Sequence, residues 1–214
     1  MKHKTSKALF AYWDAVRAGR AAPLRFEIDP SKISAILPYT FILERIDAEN
    51  YRFRLAGTRM CEIFGHELRG TNFLDGWETI DRLPLLRQFS TMTRQASAGI
   101  VNIQVSAFDG DGVECETLLL PIRHTRETID RVLGCFVPLT SPGWLGHMPV
   151  TRKTLLENEV VWPSRDPLAT ISRPVGVEPP VIANNGLGRT VRGDDRRQFR
   201  VYDGGLSRPD LDKS

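Results

Sequence analysis

The stretch Arg52–Asp75, RFRLAGTRMCEIFGHELRGTNFLD, does more than any other segment to limit what this chain can fold into. It begins with the every-second-residue alternation of a strand and breaks at Ala56-Gly57. Thr58 can then cap a short helix carrying Met60, Cys61, Ile63 and Phe64, which Gly65 ends. A Gly-Thr-Asn-Phe turn follows. A switch of this kind lines a catalytic site, encloses a ligand, or forms one corner of a sensor fold.

The flanking residues supply the sheet. YTFILERI is rich in aromatic and β-branched residues, DAEN has turn chemistry, and YRFRL sets Tyr51, Phe53 and Leu55 against Arg52 and Arg54, so an antiparallel hairpin is expected. Upstream, Leu9, Phe10, Trp13 and Val16 recur at offsets of three and four and make one face of an amphipathic N-terminal helix that Gly19 stops. Asp29-Pro30 is a helix start, and Ile33, Ile36 and Leu37 give a short helix ending before Pro38.

Downstream, Thr79–Ala98 reads as a long helix with Leu83, Leu86, Phe89, Met92 and Ala96 on one face. Pro84 is tolerated there if Asp81 caps the helix. Three strands come next: IVNIQVSAF, VECETLLLPI and RVLGCFVPL. Asp109-Gly110-Asp111-Gly112 turns the first into the second, and RHTRETID joins the second to the third. Beyond Pro142 the composition shifts. GWLGHMPVTRKTLLENEVVW suggests a short helix, and from about Pro163 a Pro-, Gly- and Arg-rich sequence with little periodicity reads as a disordered tail. The expected division is therefore residues 1–28, an N-terminal helix and linker; 29–142, the core; and 143–214, a mostly disordered extension.

At 214 residues and 41% hydrophobic content, one generous domain with appendages is affordable. The 29 Lys and Arg nearly balance the 26 Asp and Glu, leaving a formal charge of +3, so no field for nucleic acid is implied. Cys61, Cys115 and Cys135 are far apart, lack CxxC spacing, and read as reduced core thiols. The opening MKHKTSKALFAYWDAV breaks its apolar run before a signal-peptide core forms, and no run is long enough for a membrane helix. A cytosolic protein is expected.

The order strand, strand, short helices, long helix, strand, strand, strand resembles the PAS fold: an α+β fold in which a five-stranded antiparallel sheet is crossed by short helices and one long connecting helix. The chain is similar to a bacterial family of PAS-domain proteins. LFAYWDAVRAGR (Leu9 to Arg20), Asp29-Pro30, LPYTFILERID (Leu37 to Asp47) and Tyr51 to Asp75 carry the resemblance, which covers roughly Leu9 to Leu139. It implies a sensory or regulatory protein. A small-molecule ligand sits between sheet and helices in such proteins, and the outer sheet face with the N-terminal helix contacts a second copy or a signalling partner. A cavity would be walled by Phe41, Leu43, Phe53, Met60, Phe64, Phe73, Leu86, Phe89, Ile103 and Leu119; the same side chains could instead fill a solid core. Leu9, Phe10, Trp13 and Val16 are the candidates for a homodimer contact.

The cofactor is open, though two are argued against. Flavin photoreceptors of this superfamily carry a reactive Cys just before a Phe-Leu pair, and here Thr71-Asn72 precede Phe73-Leu74. Haem-binding relatives use a His on or near the long helix, which contains none; His66 reads as a solvated turn residue. His3, His124 and His147 belong to no metal-ligand cluster. FDGDGVE lacks the sixth-position Gly and twelfth-position acid of a calcium loop and reads as a tight turn. No nucleophile elbow, P-loop or dinucleotide fingerprint is present, so an enzyme is not expected. Glu62, Glu67 and Asp75 are the polar residues to examine if one were. In RRQFR, Arg196 and Arg200 match the spacing with which PilZ domains grip a cyclic dinucleotide, although the segment that should follow is missing. With Tyr202, they read more simply as a partner-docking segment. The expectation is a sensor or regulator acting through a ligand or a protein partner, without a catalytic output domain. Its rivals are a closed-core adaptor and, third, a cyclic-dinucleotide or small-metabolite binding protein.

Overall fold

The computed structural model describes residues 1–108, 112–124 and 128–163, all within one compact unit, Met1–Arg173. The predicted tail, with Arg196, Arg200 and Tyr202, lies outside the described residues, as do Asp109–Asp111 and residues 125–127 of the two turns.

Asp47 organises the first hairpin: its carboxylate accepts from the backbone N–H groups of Glu49 (2.8 Å) and Asn50 (2.9 Å) and so closes the turn between β1 (Thr40–Arg45) and β2 (Tyr51–Ala56). β1 pairs on its other side with β5 (Arg131–Pro138), β5 with β4 (Val113–Ile122), and β4 with β3 (Ala98–Ser106). The result is the antiparallel sheet that the PAS resemblance implied, with one strand more. β6 (Arg152–Val161) pairs with β3, and the order is β2-β1-β5-β4-β3-β6.

The sixth strand corrects the reading of the extension, which placed a short helix there and ended the core at residue 142. Leu155 and Asn158 explain the strand. The Leu155 N–H donates to the Asp81 carboxylate (3.0 Å), the Asn158 side chain donates to the Pro84 carbonyl (3.1 Å), and Asn102 donates to Glu157 (2.9 Å). These partners lie far away in sequence, so local periodicity does not reveal them.

Both faces of the sheet are covered. On the inner face, α2 (Thr58–Phe64) and α3 (Thr79–Gln95) enclose Phe41, Leu43, Tyr51, Phe53, Val101, Ile103 and Leu119. On the outer face, α1 (Lys4–Arg17) and a 3-10 segment, Pro30–Tyr39, cover Ile42, Ile100, Leu118, Leu120, Leu133 and Cys135. Residues 1–28 are thus integral to the domain. The 3-10 segment also runs through Pro38, where the helix was expected to stop, after a kink at Ile33 (φ −122°).

Local differences have local causes. Gly57, not Thr58, stands at the N-cap of α2, and Glu78, not Asp81, at that of α3. The buried stripe of α3 is Leu85, Gln88, Phe89 and Met92; Leu83 is exposed and Leu86 half-buried. Leu55 is exposed because a bulge between Ile42 and Leu43 puts it opposite the outward Ile42, while Phe53 stays opposite the inward Leu43.

Candidate ligand pocket

The stretch that constrains the fold also makes the arch over a cavity. After α2 ends at Gly65, whose φ of 73° is left-handed, the chain folds back along β2. Gly70 donates to the Phe53 carbonyl (2.8 Å), Phe53 to Thr71 (2.9 Å), and Phe73 to Tyr51 (2.8 Å). The Asn72 side chain accepts from Tyr51 (2.9 Å). This covers an edge that would otherwise present unpaired donors and acceptors. It also hangs Phe73 over Phe53, 6.0 Å between ring centroids, and Trp77 beside Phe73 at 6.4 Å.

A cavity of about 300 Å³ lies beneath the arch. The sheet contributes Phe53, Ile103, Thr117 and Phe136, while α2 contributes Met60 and Phe64. Leu68, Phe73, Asp75 and Trp77 come from the arch, and Val150, Thr151 and Lys153 from β6 and its approach. Of the side chains expected to wall a cavity, Phe53, Met60, Phe64, Phe73 and Ile103 do so. Phe41, Leu43, Phe89 and Leu119 pack into the solid core beside it, where Phe89 stacks on Tyr51 at 3.9 Å, and Leu86 packs half-buried on that core. Cavity and closed core therefore coexist on the same face.

Two polar groups in the wall stand out. Thr117 is 1% exposed, and among the described residues its hydroxyl has no hydrogen-bond partner. Lys153 lays its ammonium 5.1 Å from the Trp77 ring centroid and donates to the backbone carbonyl of Asp75. Burial pushes its pKa down to about 8, against the opposing pull of the Asp75 carboxylate. The rest of the polar rim is ordinary. His66 is exposed and bonds the Phe64 carbonyl (2.9 Å), and Asp75 accepts from the Asn72 N–H (3.2 Å). Glu62 and Glu67 are not among the lining residues: Glu62 pairs with Arg59, and Glu67 accepts from the Arg69 N–H.

Sequence reasoning missed Thr117 and Lys153 for different reasons. Thr117 sits mid-strand at an inward position, between Cys115 and Leu119, a signal the alternation did contain. Lys153 belongs to a strand the local pattern did not show.

The N-terminal helix is differently placed from a free dimer face. Leu9 and Trp13 are fully buried against the chain's own sheet, with Phe10 and Val16 half-buried around them. Cys115 and Cys135 are buried, with thiols that burial pushes up to about 12; Cys61 is only half-buried. Among the described residues no group of three or more His, Cys, Asp or Glu could hold a metal, and no helix is long and apolar enough to cross a membrane.

No curated protein matches the sequence. The family model of the PAS domain matches residues 1–137, which span α1, the 3-10 segment and all of β1 to β5 except its last residue. With that match joined to the five-strand order β2-β1-β5-β4-β3 and its helical cover, the chain belongs to the PAS-domain family.

Proposed function

We propose that this chain is a sensory or regulatory module that binds one small molecule beneath the arch of residues 65–77, without turnover. The observation that carries the reading is the partnerless hydroxyl of Thr117 in the wall of the cavity. A buried hydroxyl left without a partner costs about 1–3 kcal/mol, which a ligand or a trapped water recovers. The cavity also exceeds what native packing leaves open and stands at the lower end of the roughly 300–1,000 Å³ of small-molecule sites. Its walls are mainly aromatic and aliphatic with few polar groups, the composition that holds an apolar ligand and orients it.

Occupancy is expected to be read by a protein partner or a second copy, since the arch and β6 both touch the cavity and both reach the surface. The test is native mass spectrometry and visible absorption of the purified protein, followed by an NMR fragment screen observing the Ile103 and Thr117 methyls. A co-purifying mass, or fragments that shift those methyls, is expected. A protein with no bound mass and no responding fragment at millimolar concentration would leave the closed-core adaptor as the better reading.

A further inference from the structure

Lys153 carries a charge that Asp75 offsets only at a distance, through its field and not through a contact. Among the described residues no carboxylate forms an ion pair with it, and only one of its three donors is used, on the Asp75 backbone carbonyl. Its position is fixed from both sides: β6 supplies the backbone, and the Trp77 ring lies beneath the ammonium. The lysine is thus held at the wall of an aromatic cavity rather than swung into solvent. We infer that the pocket takes a small monocarboxylic acid, with an aromatic or short aliphatic body among Phe53, Phe73 and Phe136 and its carboxylate on Lys153.

This rests on the ligand-binding reading above and specifies its chemistry. The apolar wall asks for an apolar body. The Lys153 ammonium asks for an anion, since a charge-assisted hydrogen bond in such surroundings is roughly twice as strong as a neutral one. Lys153 is the only lysine or arginine among the described lining residues, so a second negative charge on the ligand would find no lysine or arginine to meet it. The burial that depresses the Lys153 pKa is the desolvation that a bound carboxylate offsets. Thr117 is left to hydrogen-bond a polar substituent or a water on the ligand's body. Lys153 lies beyond the residues that match the PAS family model.

The test uses the full chain and matched probes: phenylacetic, indole-3-acetic, hexanoic and octanoic acids against their primary amides, titrated at pH 7 with the Ile103 and Thr117 methyls observed. The acids are expected to bind about 10- to 100-fold more tightly than the amides. Lys153→Met should abolish that preference by weakening the acids far more than the amides, and Lys153→Arg should keep it. Val150→Trp, which puts an indole in place of a lining isopropyl group, should block both series. Equal affinity for acids and amides in the unaltered protein, with Val150→Trp blocking both, would overturn the acid assignment and leave the pocket standing. No response to either series would overturn both. Should Lys153→Met fail to fold, the acid-to-amide ratio of the unaltered protein decides alone.

Discussion

Trp13 is fully buried on the outer face of the sheet, and its indole N–H donates to the Pro121 carbonyl of β4 at 2.9 Å. Arg17 stacks over the same ring, 5.3 Å to the centroid, and pairs with Asp14, so the last turn of α1 is bound to its tryptophan. Trp13→Ala is expected to cost about 3–5 kcal/mol in urea unfolding; a cost below about 1 kcal/mol would mean that α1 does not dock on the sheet in solution. At the other end of α1, the buried carboxylate of Glu116 accepts from the backbone N–H groups of Lys2 and His3 (3.1 Å) just before the helix. Burial alone would raise its pKa. The hydrogen bonds from Ser6, Lys2 and His3, with the N-terminal charge, outweigh that and hold it below the ordinary carboxylate value. A carboxylate whose pKa is lower folded than unfolded stabilises fully above the unfolded value, and the contribution fades as pH falls through the folded one. Glu116→Gln should therefore cost about 1–2 kcal/mol at pH 7. The gap between the two proteins should narrow steadily in the acid limb below the ordinary carboxylate range. A gap independent of pH would show that the amide replaces the carboxylate and that charge plays no part.

The hairpin, the short helix and the Gly turn could be read from sequence because each is decided within a few residues: Asp47 closes its own turn, and Gly65 takes the left-handed angle that ends α2. The buried face of α3 could not. Leu83, Leu86, Phe89 and Met92 form an acceptable stripe, yet the helix turns Leu85 and Gln88 inward, where Gln88 reaches the Ala98 carbonyl at 3.4 Å. Tertiary contact outweighed a weakly amphipathic sequence. The junction of β2 with α2 shows the converse, a local residue fixed by a distant one. A Cβ on Gly57 would lie 2.2 Å from the Pro38 carbonyl oxygen and 2.5 Å from that of Leu37, so the end of the 3-10 segment rests directly on this glycine. Its φ of −69° is open to any residue; the close approach, not the backbone angle, requires glycine. Gly57→Ala is expected to cost about 1–3 kcal/mol in stability. The loss should appear with faster hydrogen exchange in α2, since the helix can relieve the clash only by moving away. A melting temperature equal to that of the unaltered protein would mean that this packing is looser than the distances state.

At the scale of the whole molecule, the sheet is protected by additions at opposite places: α1 covers the outer face, and β6 covers the free edge of β3. The inward alternation, the hairpin and the strand order made the five-stranded core legible from Tyr39 to Leu139. Half of the predicted cavity wall followed, because inward-facing aromatics on β2, α2 and the arch had to meet somewhere. The far side of the wall was hidden, since Thr151 and Lys153 acquire their position through β3 and Val150 through its N–H on the Ile63 carbonyl of α2. This makes a consequence of β6 measurable. A chain ending at Pro142 retains every strand the PAS resemblance requires, but it exposes the β3 edge, frees Asp81 and Asn102 from their partners, and opens the cavity on the Lys153 side. Relative to a chain ending at Pro163, it should lose at least about 3 kcal/mol, roughly 6–12 °C in melting temperature for a domain of this size. It should also associate at high concentration through the bared edge. Equal melting temperatures and a monomer in both cases would show that β6 is an accessory strand whose pairing contributes little, and Lys153 would then lack the fixed position that the acid assignment requires.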